Sequence, residues 1–324
     1  MQTDLRVREL PLMTPRSIPT SSLRGRPDFF IVGAPRCGTT ALYTYLRRHP
    51  DVFMPDLKEP HHFCTDIKSV NIVKSLDKYL RLFDMAPENA VAGEASVFYL
   101  SSTTAARNIH NFNPDAKIVV MLRDPIDMIH SNYLKNLSLR VESEGNFGKA
   151  LKLERDRTDG PLAPIVDAND GFKLRYLANA RFADQLERYF AVFGRERVFT
   201  IIYDDLKNAP QELYRRICLF LEIEPIAPRA FEVVNQNIQV RSKLIERFLR
   251  RPPAWAAGLS HALMSPSVRR KMVDRIVASN SVVRPRDPIP TAIRRRLAAE
   301  LRPDVDRLER LLGRDLSHWC RAVA

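Results

Sequence analysis

The 324-residue sequence predicts an α/β fold, with a central, mostly parallel sheet flanked by helices and a helical, arginine-rich C-terminal extension. Three observations carry that expectation. Short apolar runs alternate with segments of helical periodicity, a pattern that calls for parallel strands joined by right-handed helical crossovers. The first apolar run ends in a glycine- and proline-rich turn and opens directly into a helix. Basic residues concentrate late: residues 241–324 hold 19 Lys+Arg against 8 Asp+Glu, so +11 of the formal net charge of +13 lies there.

Taken in order, Asp28 to Gly33 reads as a buried strand, and Thr40 to Arg48 as the helix that follows it. Lys117 to Arg123 is a second buried strand, and Pro125 sits where it opens a helix running through Leu137. The polar, Gly/Asp-rich stretch from Val141 to Asp170 reads as a loop or lid. Phe172 to Phe193 is expected as one long amphipathic helix with Leu174, Leu177, Phe182, Leu186 and Tyr189 on its apolar face. Arg197 to Tyr203 gives a third strand, and Leu213, Ile217, Phe220 and Leu221 keep helical spacing after it. Beyond Arg241, arginine-rich helical stretches are broken by prolines.

Four cysteines, Cys37, Cys64, Cys218 and Cys320, form no CxxC pair, so neither a zinc site nor a disulfide framework is expected. A reduced, cytoplasmic setting follows as the expectation. Residues 1–26 carry five arginines and no continuous apolar stretch, which reads as a mobile N-terminal arm rather than a secretory signal. No segment has the ~18 to 20 apolar residues of a transmembrane helix.

The chemistry concentrates in Gly33-Ala34-Pro35-Arg36-Cys37-Gly38-Thr39-Thr40. This GxxxxG frame lets backbone amides and a helix N-terminus converge on an anion, so the sheet is P-loop-like. A Walker loop needs lysine directly after the second glycine, and that position is Thr39; the cation sits inside the loop, at Arg36. A P-loop kinase-like phosphoryl transferase therefore lacks its lysine but keeps the fold. A nucleic-acid-binding protein would use the +11 tail, yet Phe248, Trp255 and Trp319 are its only large aromatics. A non-catalytic adenylate-binding protein stays open.

The run PRCGTTALYTYLRRHP resembles the 5′-phosphosulfate loop of the sulfotransferases that use 3′-phosphoadenosine 5′-phosphosulfate (PAPS), especially bacterial relatives of the heparan sulfate and carbohydrate branch. The resemblance implies that Arg36, Cys37, Gly38, Thr39, Thr40 and Ala41 hold the 5′ end. Many members carry lysine where this chain has Arg36; arginine keeps the charge and changes a point donor into a planar fork. In the same terms Arg123, at a strand end, and Ser131, on the next helix, are implied to hold the 3′-phosphate, with Arg241 as a second guanidinium. Lys58-Glu59-Pro60-His61-His62-Phe63 resembles the family's KExxxF stretch, which makes Glu59 the implied general base and His62 an alternative. Gly93 to Leu100 resembles GExSPxYL, where Glu94 and Ser96 either contact the acceptor or cap a helix beginning near Ser101. LLGRDLSHW, ending at Trp319, resembles the bacterial members' terminal packing motif.

The implied organisation is a PAPS-binding core over residues 27–240 and a basic helical part, 241–324, packed on it. The implied reaction moves a sulfuryl group from PAPS to a hydroxyl or amine and leaves 3′-phosphoadenosine 5′-phosphate (PAP), with no metal required. Glycan, lipid and small-alcohol acceptors all satisfy that chemistry. No nucleic-acid partner is expected, and the oligomeric state is left open.

Overall fold

Five strands form one parallel sheet in the order β2-β3-β1-β4-β5: β1 Phe29–Gly33, β2 Val52–Phe53, β3 Val91–Ala95, β4 Lys117–Leu122 and β5 Val198–Ile202. The structure is a computed structural model that describes residues 26–67, 72–158, 171–228, 230–231, 238–240, 281–283 and 287–321. Every residue of β1 is buried, as are Ile118 to Leu122 of β4, which accounts for their unbroken apolar composition. β1 lies between β3 and β4, so the loop that leaves its carboxyl end emerges over the middle of the sheet. A short antiparallel pair, β6 Ile238–Val240 and β7 Ser281–Val283, is separate from this sheet.

Among the described residues the helices are α1 Thr39–Arg47, α2 Leu76–Leu80, α3 Ala105–Phe112, α4 Pro125–Leu139, α5 Phe147–Thr158, α6 Phe182–Phe193, α7 Tyr203–Asn208, α8 Pro210–Leu221 and α9 Thr291–Leu312. α1, α4 and α8 follow the expected pattern closely. Pro125 does open α4, where Asp124 caps it by accepting from the amides of Ile126 and Asp127. α9 buries Leu297, Leu301, Val305 and Leu308 against α6 and α4, and the chain after it buries Leu316 and Trp319.

Three expectations change. The single helix over 172–193 is instead two 3-10 turns, Gly171–Leu174 and Ala178–Ala180, followed by α6. Carboxylates from elsewhere take the amides that a continuous helix would have used: Glu154 accepts from Leu177 and Ala178, and Asp304 of α9 accepts from Phe182 and Ala183. Within 141–170, residues 147–158 form α5, because Phe147, Ala150 and Leu151 make a narrow buried stripe among charged neighbours. Arg157 then reaches back to both oxygens of buried Glu142, at 2.7 and 2.8 Å, and fastens the preceding loop. Third, the helix expected near Ser101 begins at Ala105, whose amide is bonded to Ser102 Oγ at 3.0 Å.

Asp304 closes the exposed start of α6 from a helix more than a hundred residues away. Asp304→Ala should therefore destabilise the protein by about 1–2 kcal/mol, the usual cost of a lost helix cap. A lower urea midpoint at unchanged slope is the expected reading; an unchanged midpoint would mean water serves those amides equally well.

Candidate active site

The turn after β1 is shaped by two glycines. Gly33 has φ +146, and a Cβ there would lie 2.6 Å from the Val97 carbonyl oxygen. Gly38 has φ +92 at the N-cap of α1, where a Cβ would press on the Tyr203 ring at 3.0 Å. Gly38 brings no side-chain cap, so the first amides of α1 remain free to meet an anion. The Ala41 amide is not among them, since it donates to Gly38 O at 2.9 Å. The buried Cys37 thiol donates to Pro35 O, and burial pushes its pKa up to about 12, so it stays a neutral packing group.

Arg36 holds φ 63, a left-handed conformation that costs a residue with a Cβ about 1–2 kcal/mol. Its Nε donates to Ser131 Oγ at 3.0 Å, which joins the loop to α4 across 95 residues of sequence. Its terminal nitrogens form no hydrogen bond with a described side chain. Burial and the neighbouring Arg123 charge both push the Arg36 pKa below its ordinary value, so two guanidiniums are crowded together here.

Arg123 leaves the end of β4, lies over the Tyr203 ring at 5.0 Å and donates to Asp127 at 3.2 Å. The Lys207 ammonium lies over the same ring at 4.9 Å. Behind them Arg294 of α9 grips both Asp127 and Asp124, each at 2.9 Å. Burial, reinforced by the Asp127 charge, raises Asp124 to about 6 against the pull of Arg294.

These groups surround one cavity of about 410 Å³. Arg36, Gly38, Thr39, Thr40 and Ala41 line one end, and Arg123, Tyr203 and Lys207 lie alongside. Lys135 and Lys173 line it as well, and Glu59 supplies the one carboxylate among the described lining residues.

The 58–63 segment is held under that cavity by its backbone. Glu59 N donates to Ala95 O at 3.0 Å, and His61 N to Ser96 Oγ at 3.0 Å. Burial by itself would push the Glu59 carboxyl up, but His61, 3.7 Å away, and the Lys58 ammonium that pairs with it bring it down to about 2. His61 is almost wholly buried, which lowers its pKa and favours the neutral ring. His62 is turned from the cavity: its Nδ1 bonds Val73 O at 2.7 Å, and its ring stacks on Tyr79 at 4.7 Å. Glu94 is also interior. Its Oε2 accepts from the Tyr99 and Tyr79 hydroxyls at 2.7 and 3.1 Å, and burial raises it to about 7. Ser96 thus braces the Glu59 segment, and Glu94 ties Tyr79 to Tyr99, rather than either capping a helix.

Arg36, Glu59, Gly38, Thr39, Thr40, Ala41 and Arg123 meet at the cavity, with Ser131 bonded to Arg36. Arg241 lies outside the described residues, as do the apolar positions between 244 and 263. Sequence reasoning passed over Tyr203, Lys207, Lys135, Lys173 and Arg294. For Tyr203 a signal existed, since it ends the third apolar run, at the carboxyl edge of the sheet where ligands of parallel sheets bind. For Arg294, one of three consecutive arginines, none did.

A parallel sheet whose central strand feeds a glycine loop into a cation-lined cavity defines a P-loop-like α/β protein built to hold an anion. The chain belongs to the sulfotransferase family: the family's model, described as Sulfotransferase domain, matches residues 26–243. A crystal structure of a sulfotransferase from Alicyclobacillus acidocaldarius is 30% identical, with a TM-score of 0.66 over 91% of this chain and 99% of that one. Mouse carbohydrate sulfotransferase 15 is 30% identical over 266 residues, covering 66% of this chain and 47% of its own. Mouse heparan sulfate glucosamine 3-O-sulfotransferase 6 is 34% identical over 126 residues, 37% of this chain and 34% of its own. The chain thus spans about half the length of the first of these curated relatives and less of the second. No described helix is long and apolar enough to cross a membrane.

Proposed function

We propose that this chain transfers a sulfuryl group from PAPS to a hydroxyl or amine of an acceptor. The observation that carries the reading is the charge of the cavity: among the described residues its lining holds five cationic side chains, Arg36, Arg123, Lys135, Lys173 and Lys207, against one carboxylate, that of Glu59. Such a lining suits a polyanion, and the terminal nitrogens of Arg36, which form no hydrogen bond with a described side chain, fit that demand. PAPS, when bound, supplies an activated sulfuryl group on a phosphate leaving group. The protein's part is positioning and electrostatics. The α1 amides, Thr39, Thr40 and Arg36 hold the 5′ end, with Arg36 balancing charge that grows on the leaving oxygen. Arg123 and Ser131 hold the 3′-phosphate, with Arg241 proposed as a second guanidinium. Glu59 accepts the acceptor's proton.

The names of the relatives, a carbohydrate and a heparan sulfate glucosamine sulfotransferase, favour a sugar acceptor over a lipid or a small alcohol. Residues 27–240 are proposed as the donor-binding core, with 241–324 packed on it. A screen of sugar, lipid and phenolic acceptors with labelled PAPS tests the acceptor; transfer to none of them would count against the activity.

The donor assignment has a sharper test. PAP should bind much more tightly than AMP or ATP with magnesium, because only PAP satisfies Arg123. Arg123→Ala should weaken PAP by about 2 kcal/mol, or roughly 30-fold, the scale of one hydrogen bond to a charged group, and leave AMP within twofold. Equal affinities for PAP and AMP in the parent protein would remove the 3′-phosphate site.

A further inference from the structure

Arg294 has no obvious reason to be where it is. It sits in the first turn of α9, where the helix dipole disfavours a cation, and α9 lies beyond the residues matched by the family model. Its side chain leaves α9 altogether. One terminal nitrogen donates to Asp127 Oδ1 and the other to Asp124 Oδ2, each at 2.9 Å. The other oxygen of Asp127 accepts from Arg123 at 3.2 Å. Asp127 is therefore shared between two guanidiniums, one facing the cavity and one behind it. The turn that carries it packs on α5, with Ile293 over Gly148, where a Cβ would come within 3.1 Å; Arg294 Nε is buried with no hydrogen-bond partner among the described residues, so the fork is held by its two carboxylates.

Consider the balance without it. Asp127 would then keep Arg123 as its partner and Asp124 would have no cationic one among the described residues, a charge of −1 for the three groups beside a cavity lined for anions. Asp127 would pull Arg123 toward itself and away from any ligand. Nearby carboxylates at the head of α4 suit the α4 dipole, so they do not need Arg294 for the sake of that helix. The residue that gains from their neutralisation is Arg123.

We infer that Arg294 is a positioning residue for donor selectivity: by neutralising Asp124 and Asp127 from behind, it leaves the Arg123 guanidinium available to the 3′-phosphate. The inference rests on the PAPS reading and adds to it a contribution from the last long helix.

The test uses the full chain and the ratio of two dissociation constants, PAP against AMP, each measured by calorimetry. A ratio taken within one variant does not depend on the fraction folded. Arg294→Gln should weaken PAP about tenfold, which is 1.4 kcal/mol, and AMP less than twofold. Arg294→Lys, a point charge that cannot fork to both carboxylates, should fall between. The decisive variant is Asp127→Asn in the Arg294→Gln background, which removes the offending charge and should restore most of the PAP preference; a merely structural role for Arg294 would not be rescued by a second deletion. If Arg294→Gln keeps the parental ratio, or loses it and Asp127→Asn fails to rescue, while Arg123→Ala abolishes the PAP preference, the inference about Arg294 falls alone. If Arg123→Ala also keeps the parental ratio, the 3′-phosphate assignment falls and takes this inference with it.

Discussion

Arg36→Ala is expected to lower turnover by at least about a hundredfold, near 3 kcal/mol of transition-state stabilisation, on the scale of removing one preorganised oxyanion donor. Stability should move little, or upward. The wild-type guanidinium is buried, sits beside Arg123 and is disfavoured by both circumstances. Removing it relieves like-charge crowding, at the loss of one hydrogen bond to Ser131. Alanine keeps the left-handed backbone cost that arginine already bears at φ 63, so the loop strain cancels in the comparison. Turnover falling while the thermal midpoint holds is the signature of a residue kept for its ligand rather than for the fold. Arg36→Lys should recover part of the rate, since it restores the charge without the planar fork. Wild-type turnover in Arg36→Ala would take Arg36 out of the mechanism.

The parts of the fold that were legible in the sequence are those where one element meets its needs locally. β1 and β4 beyond Lys117 are buried on both faces and so are apolar, β5 at the sheet edge is apolar apart from Thr200, and α4 carries its own cap and opening proline. β2 has two residues and β3 contains Gly93 and Glu94, so neither has a strand's composition. Gly93 is demanded by packing: a Cβ there would lie 2.1 Å from the Phe29 ring. Glu94 is tolerated because two tyrosine hydroxyls meet its carboxyl. The break between Leu174 and Phe182 was invisible for the same kind of reason. Its amides are served by Glu154 and Asp304, and no periodicity reports a cap that arrives from another helix.

In the site, the loop from 33 to 40 was legible because its chemistry is carried by contiguous residues. Arg123 was legible as a strand end, and Ser131 as a residue nearly two turns into the helix that Pro125 opens. The convergence of Arg36 on Ser131 was not, since it is a tertiary contact. Nor was the division of labour in the histidine pair. Glu59 and His61 take left-handed conformations, φ 65 and 50, and a turn follows at 62–63, so of His61 and His62 one lies 3.7 Å from Glu59 and the other packs on Tyr79.

That division sharpens the expectation for Glu59→Gln. Turnover should drop by about 10²–10³-fold, the usual worth of a positioned general base, with PAP affinity changed less than twofold because the proposed role of Glu59 is toward the acceptor and not the donor. The carboxyl's low pKa bears on the pH dependence. Held at about 2, below the ordinary 4.5, it stays ionised across any practical assay range. Its contribution to stability is therefore present above the unfolded value and is lost only as pH falls toward 2. An acid limb in the turnover profile between pH 5 and 7 must then come from another group, and that limb should survive in Glu59→Gln. A base with so low a pKa is weak toward a resting hydroxyl. It suffices for a late proton transfer, once bond formation to sulfur has made the acceptor oxygen acidic, and the ion pair with Lys58 must loosen to admit that proton. His62→Ala, by contrast, should lose the stack on Tyr79 and the bond to Val73 O, and so lower the thermal midpoint more than the turnover. Normal turnover in Glu59→Gln together with loss of turnover in a folded His62→Ala protein would move the base to the histidine, against the direction in which the structure turns its ring.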